Sequence, residues 1–297
     1  MKKILSLFAF VAIVISFAAC GGKDGNNPEI NGGNGNNNGG NGEQENEIAA
    51  LPGKFTVNPD GDQVQFSPGC LTKANGLSFY HNTLGAGSYG MYYYFSWGTG
   101  DAPTFIGTKS QFKEWGHNPI YPETEGDRWR TLSAEEWMHL FSGRYQAKYL
   151  CGFAEVERLG TYYKGCLLFP DNAYDLYFNY DKLHLPDNMM FRPYATNNCF
   201  RYGQSVNKYS EAEWNKLERE VGVVFIAERG VMLNDTYTNG SGWDAIYCWT
   251  STPTNGDDTK AKCLVMKDDF TFNNIIRDVE RYMPNPVRLV KNVPPSE

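Results

Sequence analysis

Residues 129–137 read Trp129-Arg130-Thr131-Leu132-Ser133-Ala134-Glu135-Glu136-Trp137, and residues 209–214 read Tyr209-Ser210-Glu211-Ala212-Glu213-Trp214. Both stretches are helix starts. A serine at the N-cap accepts from the backbone N–H three residues on. The glutamate at that position reaches back to the serine N–H, so two orphan donors of the first turn are satisfied together. The residue before each serine (Leu132, Tyr209) and the tryptophan after each glutamate (Trp137, Trp214) are placed to staple over the cap. Trp137, Leu140 and Phe141 form one apolar stripe; Trp214, Leu217 and Val221 form the other, up to Gly222, a residue suited to a left-handed stop. Both tryptophans are expected in the core. Glu136 and His139, one turn apart, are expected as a solvated pair, with an acid–base or metal pair as the alternative.

Outward from these helices the chain reads as short strands. Lys54-Phe55-Thr56-Val57 and Gln63-Val64-Gln65-Phe66 flank Asn58-Pro59-Asp60-Gly61, alternating apolar residues around a turn, which predicts a hairpin. Residues 89–98 are too aromatic and too Gly-flanked for a helix. As a strand they put Tyr92 and Tyr94 on one face and Met91, Tyr93 and Phe95 on the other, buried on both faces or exposed as a platform for stacking a sugar. Val223–Ile226, Tyr247–Thr250, Lys262–Met266 and Val287–Val290 complete the strand set. Two helices among many short strands and long loops predict an α+β fold with a mainly antiparallel sheet.

At the other end, Lys2 and Lys3 precede an apolar run from Ile4 to Ala19 that closes on Phe17-Ala18-Ala19-Cys20. The run is shorter than the ~20 residues of a spanning helix, and its charged, apolar and small-residue order is that of an export signal over residues 1–19. Residues 20–50 are nearly all Gly, Asn and acidic side chains, a composition that cannot bury enough apolar area to offset the entropy of ordering it. They are expected to be a tether reaching roughly 30 Å as a random coil. Residues 51–297 are expected to form a single domain.

Net charge is −7 and no basic cluster occurs in the folded part, which argues against a nucleic-acid partner. Aromatic content of 15% points to a strand-rich, binding-type surface. Beyond Cys20 stand Cys70, Cys151, Cys166, Cys199, Cys248 and Cys263, compatible with disulfides outside the cytoplasm or with buried thiols. No C-x-x-C, G-x-S-x-G, H-E-x-x-H or P-loop pattern is present. The doublets Glu135-Glu136, Asp257-Asp258 and Asp268-Asp269 diverge in regular structure and read as solvated charge. Pro170-Asp171-Asn172 reads as turn chemistry.

Ala18-Ala19-Cys20 resembles the lipobox of bacterial lipoproteins, which implies cleavage before Cys20, lipid on its thiol and attachment to a membrane. Lys23-Asp24 resembles the short signals that send Bacteroidetes lipoproteins to the cell surface, implying an outer-membrane location. The stretch Trp129–Trp137 resembles the helix start of C-type-lectin-like domains related to formylglycine-generating enzyme. Cys248-Trp249-Thr250-Ser251-Thr252-Pro253 with Val287-Arg288-Leu289-Val290 is similar to the ending of the Fibrobacter major paralogous domain. The opening hairpin is similar to the start of many Bacteroides surface lipoproteins of this group. The resemblance implies a C-type-lectin-like fold whose terminal strands pair and whose long loops after the second helix form the ligand surface. It does not carry a mechanism. Cys248 and Cys263 lack the spacing of the copper-binding cysteines of formylglycine-generating enzymes. Met283-Pro284-Asn285 and Trp243-Asp244 depart from the calcium-dependent lectin motifs.

The expected function is therefore non-catalytic binding or adhesion, toward a glycan or a protein. A carbohydrate hydrolase or a structural part of a surface or fimbrial assembly is the alternative. No catalytic residue is expected. The expected ligand surface comprises Asp235, Tyr237, Trp243 and Asp244 in one loop and Asp257 and Asp258 in another, with Trp243 packed inward as a loop anchor or stacking on a sugar. No cofactor is expected; calcium is the ion these carboxylates would suit.

Overall fold

Both helix starts form as the side chains dictate. In the computed structural model, Ser133 Oγ accepts from Glu136 N (3.1 Å) while Glu136 Oε2 accepts from Ser133 N (2.7 Å). Ser210 and Glu213 repeat the exchange at 3.4 and 2.7 Å. Helix α1 spans Ala134–Met138 and α2 spans Glu211–Lys216. Each then widens into a π-helical turn, His139–Gly143 and Leu217–Val221. The second ends at Gly222, whose φ of +82° is left-handed and whose missing side chain admits Gly53 N, 2.0 Å from where a Cβ would stand.

The described residues are 47–73, 76–80, 95–100, 112–158, 160–173, 207–227, 232–233, 236–237, 246–266 and 274–295. Strands run in chain order β1 (Phe55–Thr56), β2 (Gln63–Phe66), β3 (Cys70–Lys73), β4 (Leu77–Tyr80), β5 (Ile120–Tyr121) and β6 (Arg130–Thr131). There follow β7 (Cys151–Arg158), β8 (Thr161–Leu168), β9 (Asn207–Tyr209), β10 (Val224–Ala227), β11 (Met232–Leu233) and β12 (Thr236–Tyr237). The last are β13 (Ile246–Pro253), β14 (Lys260–Met266), β15 (Ile276–Glu280) and β16 (Leu289–Asn292). The fold is thus α+β, with two short α-helices among the described residues.

The sheets are ordered β1-β2-β16-β6, β10-β8-β7-β9, β13-β14-β15 and β3-β4-β5, with β11-β12 a separate pair. Among the described residues all strand pairings are antiparallel except β7 with β9 and β4 with β5. The predicted opening hairpin forms in register, Phe55 opposite Val64. β16 lies against β2, Val290 opposite Phe66, and against β6, Leu289 opposite Thr131.

Alternation along the strands sorts side chains into three clusters. On β13 and β14, Ile246, Cys248, Leu264 and Met266 enter one cluster, while Tyr247, Trp249, Cys263 and Val265 enter a second. This sheet is therefore buried on both faces, which explains its near-continuous apolar sequence. Likewise β8 sends Cys166 and Leu168 into the first cluster and Leu167 into the third. Trp137, Leu140 and Phe141 of α1 and its π-turn fill the first cluster, with Phe55, Phe66 and Val290. Trp214 and Leu217 of α2 and its turn cover the other side of β7–β8, in the third.

Of the aromatic stretch 89–98, Tyr92, Tyr93 and Tyr94 lie outside the described residues. Phe95 and Trp97 are buried, and they interlock with β13: Trp97 Nε1 donates to Thr250 O (2.7 Å) and Trp249 Nε1 to Phe95 O (2.6 Å). Cys70, Cys151, Cys166, Cys248 and Cys263 are thiols, not disulfides, and Cys199 lies outside the described residues. Burial pushes the Cys151 thiol above its ordinary pKa and the Cys263 thiol well above it, which keeps both protonated and chemically quiet.

Candidate functional site

Three elements enclose an open groove. The Asn58–Asp62 turn forms one wall: Asn58 Oδ1 accepts from Asp62 N (3.0 Å) and Asn58 Nδ2 donates to Asp62 Oδ2 (2.8 Å). The α1 wall is seated on the end of β13, where Ala134 N donates to Thr252 Oγ1 (2.9 Å). β14 and β15 supply Lys262 and Ile276. The space between measures about 500 Å³. Its floor is aliphatic, with Val57, Pro59, Ala134, Met138 and Ile276; Glu135, His139 and Lys262 stand among the polar groups of its rim.

Glu135 and His139 are four apart, so they share one face of the helical stretch running through α1 into its π-turn. His139 packs over Gly143, where a Cβ would meet the ring nitrogen Nδ1 at 2.4 Å; only glycine leaves the imidazole its place. Burial, reinforced by the Arg144 guanidinium and opposed by Asp171, lowers the His139 pKa, so the ring is neutral at neutral pH. Glu136 is already committed: Arg130 holds it through two hydrogen bonds (2.6 and 2.9 Å) in addition to the cap. Lys262 pairs with Asp278 (3.2 Å), whose carboxyl is held below the usual range first by the Thr254 hydroxyl and then by Lys262. The groove can thus offer an aliphatic floor, one carboxylate acceptor, a neutral imidazole and an ammonium.

The ligand surface expected from the sequence is placed only in part. Asp257 and Asp258 lie in the β13–β14 connection. Asp257 Oδ1 accepts from Thr259 N (2.9 Å) and from the Thr259 hydroxyl, and these bonds, with Lys260 3.5 Å away, lower its pKa. Asp257 therefore shapes its own turn. Asp235, Trp243 and Asp244 lie outside the described residues, as does Cys20. Of Tyr237 the described feature is its backbone pairing in β12, opposite Met232.

Two buried charge networks were not foreseen. Arg144, 1% exposed at its side chain, donates to Leu140 O (2.8 Å), Phe169 O (2.7 Å) and Asp171 Oδ1 (3.1 Å). Asp171 accepts in turn from Thr56 N (2.7 Å), Thr56 Oγ1 (2.8 Å) and Gln63 Nε2 (3.2 Å), tying α1's π-turn to the opening hairpin. The second network joins Glu123, Trp129 and Lys291 to the first described residues. Residues 47–50, expected in the tether, in fact belong to the packed unit: Ile48 is 8% exposed, in the second cluster. The Pro170-Asp171 turn hinted at Asp171; nothing local pointed to Arg144, Glu123 or Lys291.

Among the described residues, no group of three or more His, Cys, Asp or Glu side chains is placed to hold a metal ion, and no helix is long and apolar enough to cross a membrane. Comparison of the chain with protein-family models, with curated proteins and with solved structures finds no match.

Proposed function

We propose that the chain is an exported lipoprotein, held by lipid on Cys20 at the outer-membrane surface, whose folded unit is a C-type-lectin-like module that binds a glycan or a protein without transforming it. The observation that carries this reading is the junction of tether and unit. β2 and β16 pair, and Lys291 of β16 grips Glu47 and Ile48, so the exit to the tether and the C-terminal strand meet on one sheet. A recognition module on a leash needs such an arrangement, because it leaves the surfaces away from the exit available to a ligand. The pairing of terminal strands and the two capped helices support the C-type-lectin-like part. The groove beside α1 supports binding, since an aliphatic floor with a few directional polar groups is the ordinary make-up of a ligand site.

Palmitate labelling tests the anchor: wild type takes up label and Cys20→Ala does not. A glycan array, probed with the leaderless protein with and without calcium, tests recognition. Retained binding that falls on Met138→Glu assigns it to the groove, and a fall on Trp243→Ala assigns it to the loops. Silence under every condition removes the glycan part.

One observation favours a hydrolase as the second reading: Glu135 and His139, one helical turn apart, line the same groove. Turnover of a carbohydrate substrate, lost on His139→Gln, would establish it in place of binding alone.

A further inference from the structure

Ahead of the first hairpin, Glu47, Ile48 and Leu51 are held by the rest of the unit. Ile48 N donates to Glu123 Oε1 (3.1 Å), and Lys291 Nζ donates to Ile48 O (3.0 Å) and Glu47 Oε1 (2.9 Å). Lys291 also reaches Glu123 Oε1 (3.3 Å) and stands 4.4 Å from the centre of the Trp129 ring, while Trp129 Nε1 donates to Glu123 Oε2 (3.0 Å). Glu123 is 2% exposed at its side chain, so it accepts from Ile48, Lys291 and Trp129 in a place where an unpaired carboxylate would be costly. Leu51 N donates to Phe66 O (2.8 Å) and Gln65 Nε2 to Leu51 O (3.0 Å), and Ile48 and Leu51 are both buried.

We propose that Glu47–Leu51 form a clasp that opens and closes locally, independently of the rest of the unit, and so sets where the tether ends. Closed, the leash stops at residue 47, and a pull from the membrane is delivered through Lys291 and Glu123 to β16 and the Trp129 loop. Open, five more residues join the leash, each adding up to about 3.3–3.6 Å of reach, and the pull falls on the β1–β2 hairpin. The physical reason for local opening is that the clasp lies at the chain's point of departure and gives the clusters only Ile48 and Leu51 among their buried members. Its ammonium can return to water while the rest of the three clusters stays packed. The mechanical consequence rests on the Cys20 anchor; the clasp itself does not.

Hydrogen exchange on the full chain tests it. In wild type the amides of Ile48 and Leu51 are expected to be protected, yet to exchange faster than Cys263–Met266 in β14. In Lys291→Met, residues 47–51 are expected to exchange about tenfold faster or more, with β14 unchanged. Lys291→Met combined with Glu123→Gln removes both charges, avoids an orphaned buried carboxylate, and is expected to do the same. Exchange of 47–51 at free-peptide rates in wild type overturns the clasp, and so does indifference to both variants. Acceleration of β14 in step with 47–51 in both variants also overturns it, since the strap would then open only with the whole unit. A wild-type chain that takes up no palmitate while 47–51 stay protected defeats the lipid anchor and leaves the clasp standing.

Discussion

Helices α1 and α2 start from the same serine–glutamate–tryptophan device and run into the same π-turn, yet they end in different surroundings. α1 belongs to the first cluster, packed with residues of β1-β2-β16-β6, β13-β14 and β7-β8. Its outer face borders the groove, and its end is fixed by Arg144, which gathers three carbonyls and Asp171. α2 covers one face of β10-β8-β7-β9, in a cluster of its own, and is stopped by the left-handed Gly222. Local sequence decides where a helix begins; what packs around it decides what the helix is for.

The largest expected effects come from the two tryptophans. Trp137→Ala and Trp214→Ala should each cost about 3–5 kcal/mol, read by denaturant unfolding. Hydrogen exchange separates them. Trp137→Ala is expected to weaken β13–β14 protection as well as α1, whereas Trp214→Ala should loosen α2 and the strands beneath it. Equal footprints would break the contrast between the helices.

The two helix ends come next. Arg144→Met leaves Asp171 and three carbonyls without their cation and should cost about 3 kcal/mol. Gly222→Ala forces a side chain into a left-handed residue against Gly53 and should cost about 1–2 kcal/mol or more, by the same measurement. A smaller loss for Arg144→Met than for Gly222→Ala would reverse the ranking. Ser133→Ala and Ser210→Ala should each cost about 1 kcal/mol, a matched pair that tests whether the caps are equivalent.

The smallest effect is a pH dependence confined to α1. The folded state holds His139 below its ordinary pKa of about 6.5 and so binds fewer protons than the unfolded chain. Stability from this group is present above that value and is lost as pH falls through the lowered one. Wild type should lose slightly more stability than His139→Gln between pH 7 and pH 5, measured by thermal unfolding; parallel curves would sink the idea.

Much of the fold was legible because its signals are local. The caps, the staple partners, the Gly222 stop and the Asn-Pro-Asp-Gly hairpin each act within a few residues. The β7–β8 hairpin was not legible. No Asn-Gly pair stands in this stretch of sequence, and Glu155, Glu157 and Lys164 interrupt its apolar pattern. The groove could not be read at all, since Pro59, Met138 and Ile276 meet only through the packing of three separate elements. Nothing local marked Arg144 or Glu123 for the same reason: Phe169 is 25 residues from Arg144, and Lys291 is 168 residues from Glu123.

Within its sheet, β16 lies between β2 and β6 rather than at an edge. A ribosome has therefore made every other strand of this sheet well before the strand that joins the opening hairpin to the segment leading into α1 exists. Until residues 289–292 arrive, Phe66 and Thr131 lack their partners on β16, and closing the sheet spans more than half of the sequence. The unit is consequently expected to commit slowly to its final shape, and a shortened chain that lacks this strand should fail to mature rather than fold into a smaller version of itself.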